Sequence, residues 1–153
     1  IMCGKYGMKG TVIGRSNCKL LNDYGDLCQM KDFMSQDELI KLFQNTKCLL
    51  LPNTVDASPR ILTEALCCDC RCLVNENVLG GWKYVNENTG EFFTDENNFE
   101  TSMNKLFSNY ENYNPSEYYN NNYGKINSGK RLKEFLCKHI PKLKNIDTEY
   151  FTL

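Results

Sequence analysis

Two acids, Asp56 and Glu64, stand eight residues apart around a proline-bounded turn, and that spacing is where chemistry can be read first. The turn runs from Pro52 through Asn53, Thr54, Val55, Asp56 and Ala57 to Ser58-Pro59, a helix-capping residue followed by proline at the first helical position. A helix starting there, predicted over 59–68, leaves its first backbone amides free, and with the helix dipole behind them they favour a phosphate group. A carboxylate accepts hydrogen bonds from neighbouring hydroxyls, so acids flanking an anion site suit a ligand carrying both phosphate and sugar diols. The alternative for the same pair is a loop aspartate satisfied locally and a helix glutamate in a surface ion pair.

The elements around the turn follow from pattern. Thr11-Val12-Ile13-Gly14 is a β-branched run that stops at glycine, and Lys47-Cys48-Leu49-Leu50-Leu51 is an apolar run that stops at Pro52, so both read as buried strands. Between them Ser35-Gln36-Asp37-Glu38 forms a capping box that opens a helix with Leu39, Ile40, Leu42 and Phe43 on one face. Cys72-Leu73-Val74 reads as the next strand, Gly80-Gly81 as the opening of a short helix over 82–85, and Glu91-Phe92-Phe93 as an edge strand. A helix is expected over 99–107, an Asn- and Tyr-rich loop from Ser108 onward, and a last helix over 128–139. This β-α-β-α-β rhythm predicts an α/β fold, a Rossmann-like, mostly parallel sheet with helices on both faces. Ligands in that architecture sit beyond the carboxyl ends of the strands. The expected organisation is a Rossmann-like nucleotide-sugar-binding domain over 1–107, a loop over 108–127, and a terminal helix and tail over 128–153.

The stretch from Leu50 to Leu66, LLPNTVDASPRILTEAL, resembles the E-x7-E signature of the retaining GT-B glycosyltransferases of family four, the glycosyl transferases group one. Phe33 to Leu39, Leu73-Val74-Asn75, Gly80-Gly81 and Thr89-Gly90-Glu91-Phe92-Phe93 resemble further elements of that family, in order. The resemblance implies the donor-binding, C-terminal half of a GT-B fold that moves a sugar from a nucleoside diphosphate with retention. Asp56 would contact the transferred sugar and Glu64 the ribose diol, as the catalytic pair. Ala57, Ser58, Arg60 and Ile61 would face the diphosphate, with Arg15 a candidate cation, and Phe33 and Met34 would border the base. Gly80, Gly81 and Trp82 would lie against the sugar. In this family the leaving group is stabilised by positive charge and amides, so no metal and no cofactor is implied beyond the nucleotide sugar. The acceptor site would belong to an N-terminal GT-B domain, supplied in cis or in trans. The sequence also departs from the family pattern: Asp56 replaces a glutamate, and Pro59, which has no N–H, replaces a glycine. Those departures support an alternative, a catalytically inactive GT-B-like binding or interaction module. A flavodoxin-like phosphate binder would want an acid ending the first strand, where Gly14-Arg15 stands.

Composition narrows the classes. The 153 residues, long enough for one domain with a substantial core, hold 18 Lys+Arg against 19 Asp+Glu, a net charge of −1 that creates no global field for nucleic acid or an anionic membrane. No apolar run approaches the roughly 20 residues of a membrane span, so a soluble, cytoplasmic protein without a transmembrane segment is expected. Nine cysteines, odd in number and irregularly spaced, read as reduced thiols. Cys67 and Cys70 form one C-x-x-C pair without a second, which leaves zinc short of ligands. The basic residues Lys130, Arg131 and Lys133 read as the solvated face of an amphipathic last helix, with Leu132, Phe135 and Leu136 inside.

Overall fold

A computed structural model describes residue 5 and residues 7–14, 26–145 and 147–151. The chain is α/β and divides into two units, residues 1–45 and 46–153, each described by itself.

In the first unit β1 (Gly10–Ile13) pairs in parallel with β2 (Cys28–Lys31), Val12 opposite Met30. The helix α1 (Gln36–Gln44) follows, closed at its start by the expected capping box. The Glu38 amide donates to Ser35 Oγ at 3.4 Å, and the Ser35 amide donates to Glu38 Oε2 at 2.9 Å. β2 is not anticipated by the sequence pattern, because Cys28-Gln29-Met30-Lys31 contains no β-branched residue and three of its four residues are exposed.

The second unit is a three-stranded parallel sheet in the order β3 (Cys48–Leu51), β4 (Arg71–Asn75), β5 (Gly90–Phe93). The helix α2 (Arg60–Cys67) joins β3 to β4, and α3 (Glu96–Ser108) follows β5. Strand alternation explains how both faces are covered. Leu62 and Leu66 of α2 pack with Leu51, Cys72, Val74 and Phe92 on one face. Glu91 and Phe93 point the other way, where Lys105 of α3 reaches Glu91 at 2.8 Å and the Phe99 ring meets Phe93 edge-on at 5.1 Å. Leu62, Ala65 and Leu66 of α2, Cys72, Leu73 and Val74 of β4, and Leu106 of α3 are wholly buried.

Two expectations are corrected here. The helix after the acid-bearing turn begins at Arg60, with Pro59 as its cap residue, and Ser58 makes no capping bond. Pro59 is buried because its ring packs beneath Gly81. The stretch expected as a loop over 108–127 is mostly helical: a 3-10 turn (Tyr110–Asn112), then α4 (Pro115–Asn122) and α5 (Gly124–His139), which starts four residues before the expected 128. Pro115 at the start of α4 presets its first φ, and α4 is held by packing on α2.

Candidate functional site

The chain leaves β3 at Leu51 on the carboxyl edge of the sheet, and the turn that follows is pinned to the turn after β4. The Leu79 amide donates to the Thr54 carbonyl at 3.2 Å, and the Gly80 amide donates to the Asp56 carbonyl at 3.0 Å. At Gly80 a Cβ would overlap the Ala57 carbonyl oxygen, so only glycine permits this approach. Gly81 takes φ 82°, the left-handed region, and its Cα rests on the Pro59 ring and Leu62. These contacts bring Asp56, Ala57, Ser58, Gly80, Gly81 and Trp82 together around the start of α2.

Asp56 is half-buried, and its Oδ1 accepts from the Ser58 amide at 2.9 Å, so one carboxylate oxygen closes its own turn. That is the locally satisfied aspartate foreseen as the alternative. Oδ2 has no hydrogen bond among the described residues. Arg60 is exposed at the first helical position and Ile61 half-buried beside it. The amides of both lie in the first turn, where a helix has no acceptors of its own. Glu64 is half-buried, four residues in, about 6 Å along the axis at 1.5 Å per residue. Helical spacing from Leu62, Ala65 and Leu66, the residues α2 buries, turns Glu64 away from the sheet. It makes no ion pair among the described residues, and its charge is felt by Cys67 and Cys68. Their thiols are held above the usual range first by burial and then by neighbouring negative charge.

Trp82 opens a 3-10 turn (Trp82–Tyr84) and stands 60% exposed at the rim. Val55, 86% exposed, and Leu79, 67% exposed, project from the same two turns. The 3-10 turn is anchored from behind by tyrosines that composition alone assigns to a surface loop. Tyr84 meets Tyr123 edge-on at 4.8 Å and Tyr119 at 5.9 Å, and the Tyr123 hydroxyl donates to the Lys83 carbonyl at 3.3 Å. Lys83 Nζ lies 4.9 Å from the Tyr84 ring centre, a cation beside the rim that the sequence reading did not assign. The spacing Tyr118-Tyr119 and Tyr123 after Pro115 is the signal that could have found this support.

Phe33 and Met34, the residues expected near a base, belong to the first unit and follow β2 directly; Phe33 is exposed and Met34 half-buried. Arg15 lies outside the described residues. Among the described residues no cluster of His, Cys, Asp or Glu has the geometry to hold a metal ion, and no helix is long and apolar enough to cross a membrane. A recess of about 520 Å³ lies at the opposite end of β5, lined by Asn86, Glu91, Lys105 and Tyr113 among others. Of its two acids, Glu87 and Glu91, the second is already engaged: Glu91 accepts from Lys105 at 2.8 Å and from the Tyr113 hydroxyl at 2.7 Å. No protein-family model, no curated protein and no solved structure matches this chain.

Proposed function

We propose that the rim formed by the turns at 52–59 and 79–82 and the start of α2 binds a nucleoside diphosphate sugar. In this reading the chain is the donor-binding half of a retaining glycosyltransferase that works with an acceptor-binding domain in cis or in trans. The observation that carries it is the pinning of the Asp56 turn to the Gly80-Gly81 turn at the mouth of α2. That contact sets a free carboxylate oxygen, first-turn amides and an exposed indole side by side. The Arg60 and Ile61 amides would take the diphosphate, whose charge the helix dipole favours. Asp56 Oδ2 would accept from a sugar hydroxyl, Trp82 would lie along the sugar face, and Glu64 would accept from both ribose hydroxyls. Catalysis would consist of stabilising the departing diphosphate with amides and cations while the sugar is transferred.

Calorimetric titration with UDP- and GDP-sugars tests the proposal. Saturable heat is expected, and Glu64→Ala should weaken binding 10-fold or more, the effect of removing a charged acceptor worth about 1.5–3 kcal/mol. The thermal midpoint should hold, since Glu64 lies off the packed face of α2. Two observations favour a second reading, an inert interaction module: Asp56 Oδ1 is spent on Ser58, and Pro59 supplies no amide. Absence of heat with every sugar nucleotide would select that second reading.

A further inference from the structure

Charge is unevenly placed along this chain. Residues 124–145 hold seven Lys and Arg against one acid, Glu134, although the whole chain carries a net charge of −1. The remainder is therefore acidic, and the basic segment coincides with α5 and the 3-10 turn that follows it (Pro141–Asn145).

α5 is 16 residues long, yet Gly129 is its only buried residue. Gly129 is covered where residues 147–151 cross the helix, with the Phe151 amide donating to the Gly129 carbonyl at 3.2 Å. The crossing occupies two lysines, Lys130 on Glu149 at 2.7 Å and Lys133 on the Thr148 carbonyl. Lys125, Lys138, Lys142 and Lys144 have no ion pair among the described residues, and Arg131 lies over the Tyr123 ring at 5.4 Å. Apolar side chains stand among these cations. Phe135, expected inside from the sequence, is 59% exposed, Ile126 52% and Ile140 46%, with Leu132 and Leu136 half-buried. Helical spacing sets Arg131 and Lys138 one turn before and one turn after Phe135.

We propose that α5 and the 3-10 turn after it form a peripheral docking surface for an anionic lipid bilayer. The cations meet the headgroup charge while Phe135 enters the boundary of the acyl region, and the lysine stems lie along it with their ammonium groups in water; Ile126, nine residues earlier, projects from the opposite side of α5 and takes no part. An acidic polymer would satisfy the cations and leave Phe135 in water, whereas a bilayer takes up both. The proposal is independent of the donor-site reading.

Co-sedimentation of the full chain with phosphatidylcholine vesicles, with and without phosphatidylglycerol, tests it. Binding is expected only to the anionic vesicles and should fall with added salt. Lys138→Gln together with Lys144→Gln should weaken it about 20- to 30-fold, and Phe135→Ser about 10-fold or more. All three positions are exposed, so circular dichroism should match the parent chain. Failure to bind anionic vesicles, or equal binding to uncharged ones, overturns the proposal. So does loss on lysine removal with Phe135→Ser unchanged, which would mark the surface as a site for an acidic protein or nucleic acid.

Discussion

Gly80 is the residue on which the rim depends most directly. Its Cα lies against the Ala57 carbonyl, a backbone group that cannot turn aside as a side chain would. Gly80→Ala must therefore separate the turn bearing Asp56 from the turn bearing Trp82, breaking the bond from the Gly80 amide to the Asp56 carbonyl. The expected cost is about 1–3 kcal/mol of stability, as for overpacking elsewhere, together with loss of sugar-nucleotide binding. Denaturant unfolding and the calorimetric titration measure the two effects separately. A Gly80→Ala chain that kept parent stability would mean that the two turns are not held as described. Gly81 adds a conformational demand, since its φ of 82° costs a residue with a side chain roughly 1–2 kcal/mol.

At the scale of elements, one aspartate ties the start of α4 to the turn between α2 and β4. Asp69 sits between α2 and β4 at φ 61°, a left-handed conformation that aspartate tolerates better than most side chains. Its Oδ1 accepts from the Ser116 amide at 3.2 Å and hydroxyl at 3.0 Å, in the first turn of α4, and Oδ2 accepts from Arg71 at 2.9 Å. Arg71 in turn donates to the Tyr113 carbonyl at 3.0 Å and lies over the Tyr110 ring at 4.4 Å. Asp69→Ala takes the carboxylate from a largely buried guanidinium, which keeps its bonds to the Asp69 and Tyr113 carbonyls, and leaves the two Ser116 donors of α4 unpaired; it should destabilise the chain by about 1–3 kcal/mol, read from urea unfolding. Asp69→Asn should cost less, because it keeps the left-handed tolerance and one acceptor oxygen. The long-range links of this network were not legible in the sequence, since Asp69 and Ser116 stand 47 residues apart and Arg71 and Tyr113 stand 42 apart. What was legible is local: the Ser35 capping box, the apolar run of β3, and the paired glycines after β4. α4 went unread because its Asn- and Tyr-rich residues have weak helix preference, and packing on α2 overrides it. In the site, the loop position of Asp56 and the helical position of Glu64 followed from sequence. The bond that ties Asp56 Oδ1 to Ser58 required the folded turn.

For the whole molecule, the buried core is concentrated in residues 46–153; among the described residues only Phe43 of the first unit is a buried hydrophobic. That core is unusually rich in thiols. Cys70 and Cys72 are buried at 1% and 0% exposure, and Cys48 lies in the neighbouring strand. Desolvation by burial raises all three, Cys70 to about 12 from an ordinary 9.0. A raised value means that the folded chain holds these protons more tightly than the unfolded chain does. Stability from this source is thus complete below the unfolded value near 9.0 and is lost as pH rises towards the folded value of Cys70. Across that window each such thiol should lower the unfolding free energy by up to about 1.4 kcal/mol per pH unit. Urea unfolding of the reduced chain at intervals upward from about pH 9 should show the decline, and Cys70→Ala should have a shallower one despite lower stability at neutral pH. Equal slopes for parent and variant would mean that Cys70 ionises without opening the sheet, and the thiol could not then be sealed between β3, β4 and the helices that cover them.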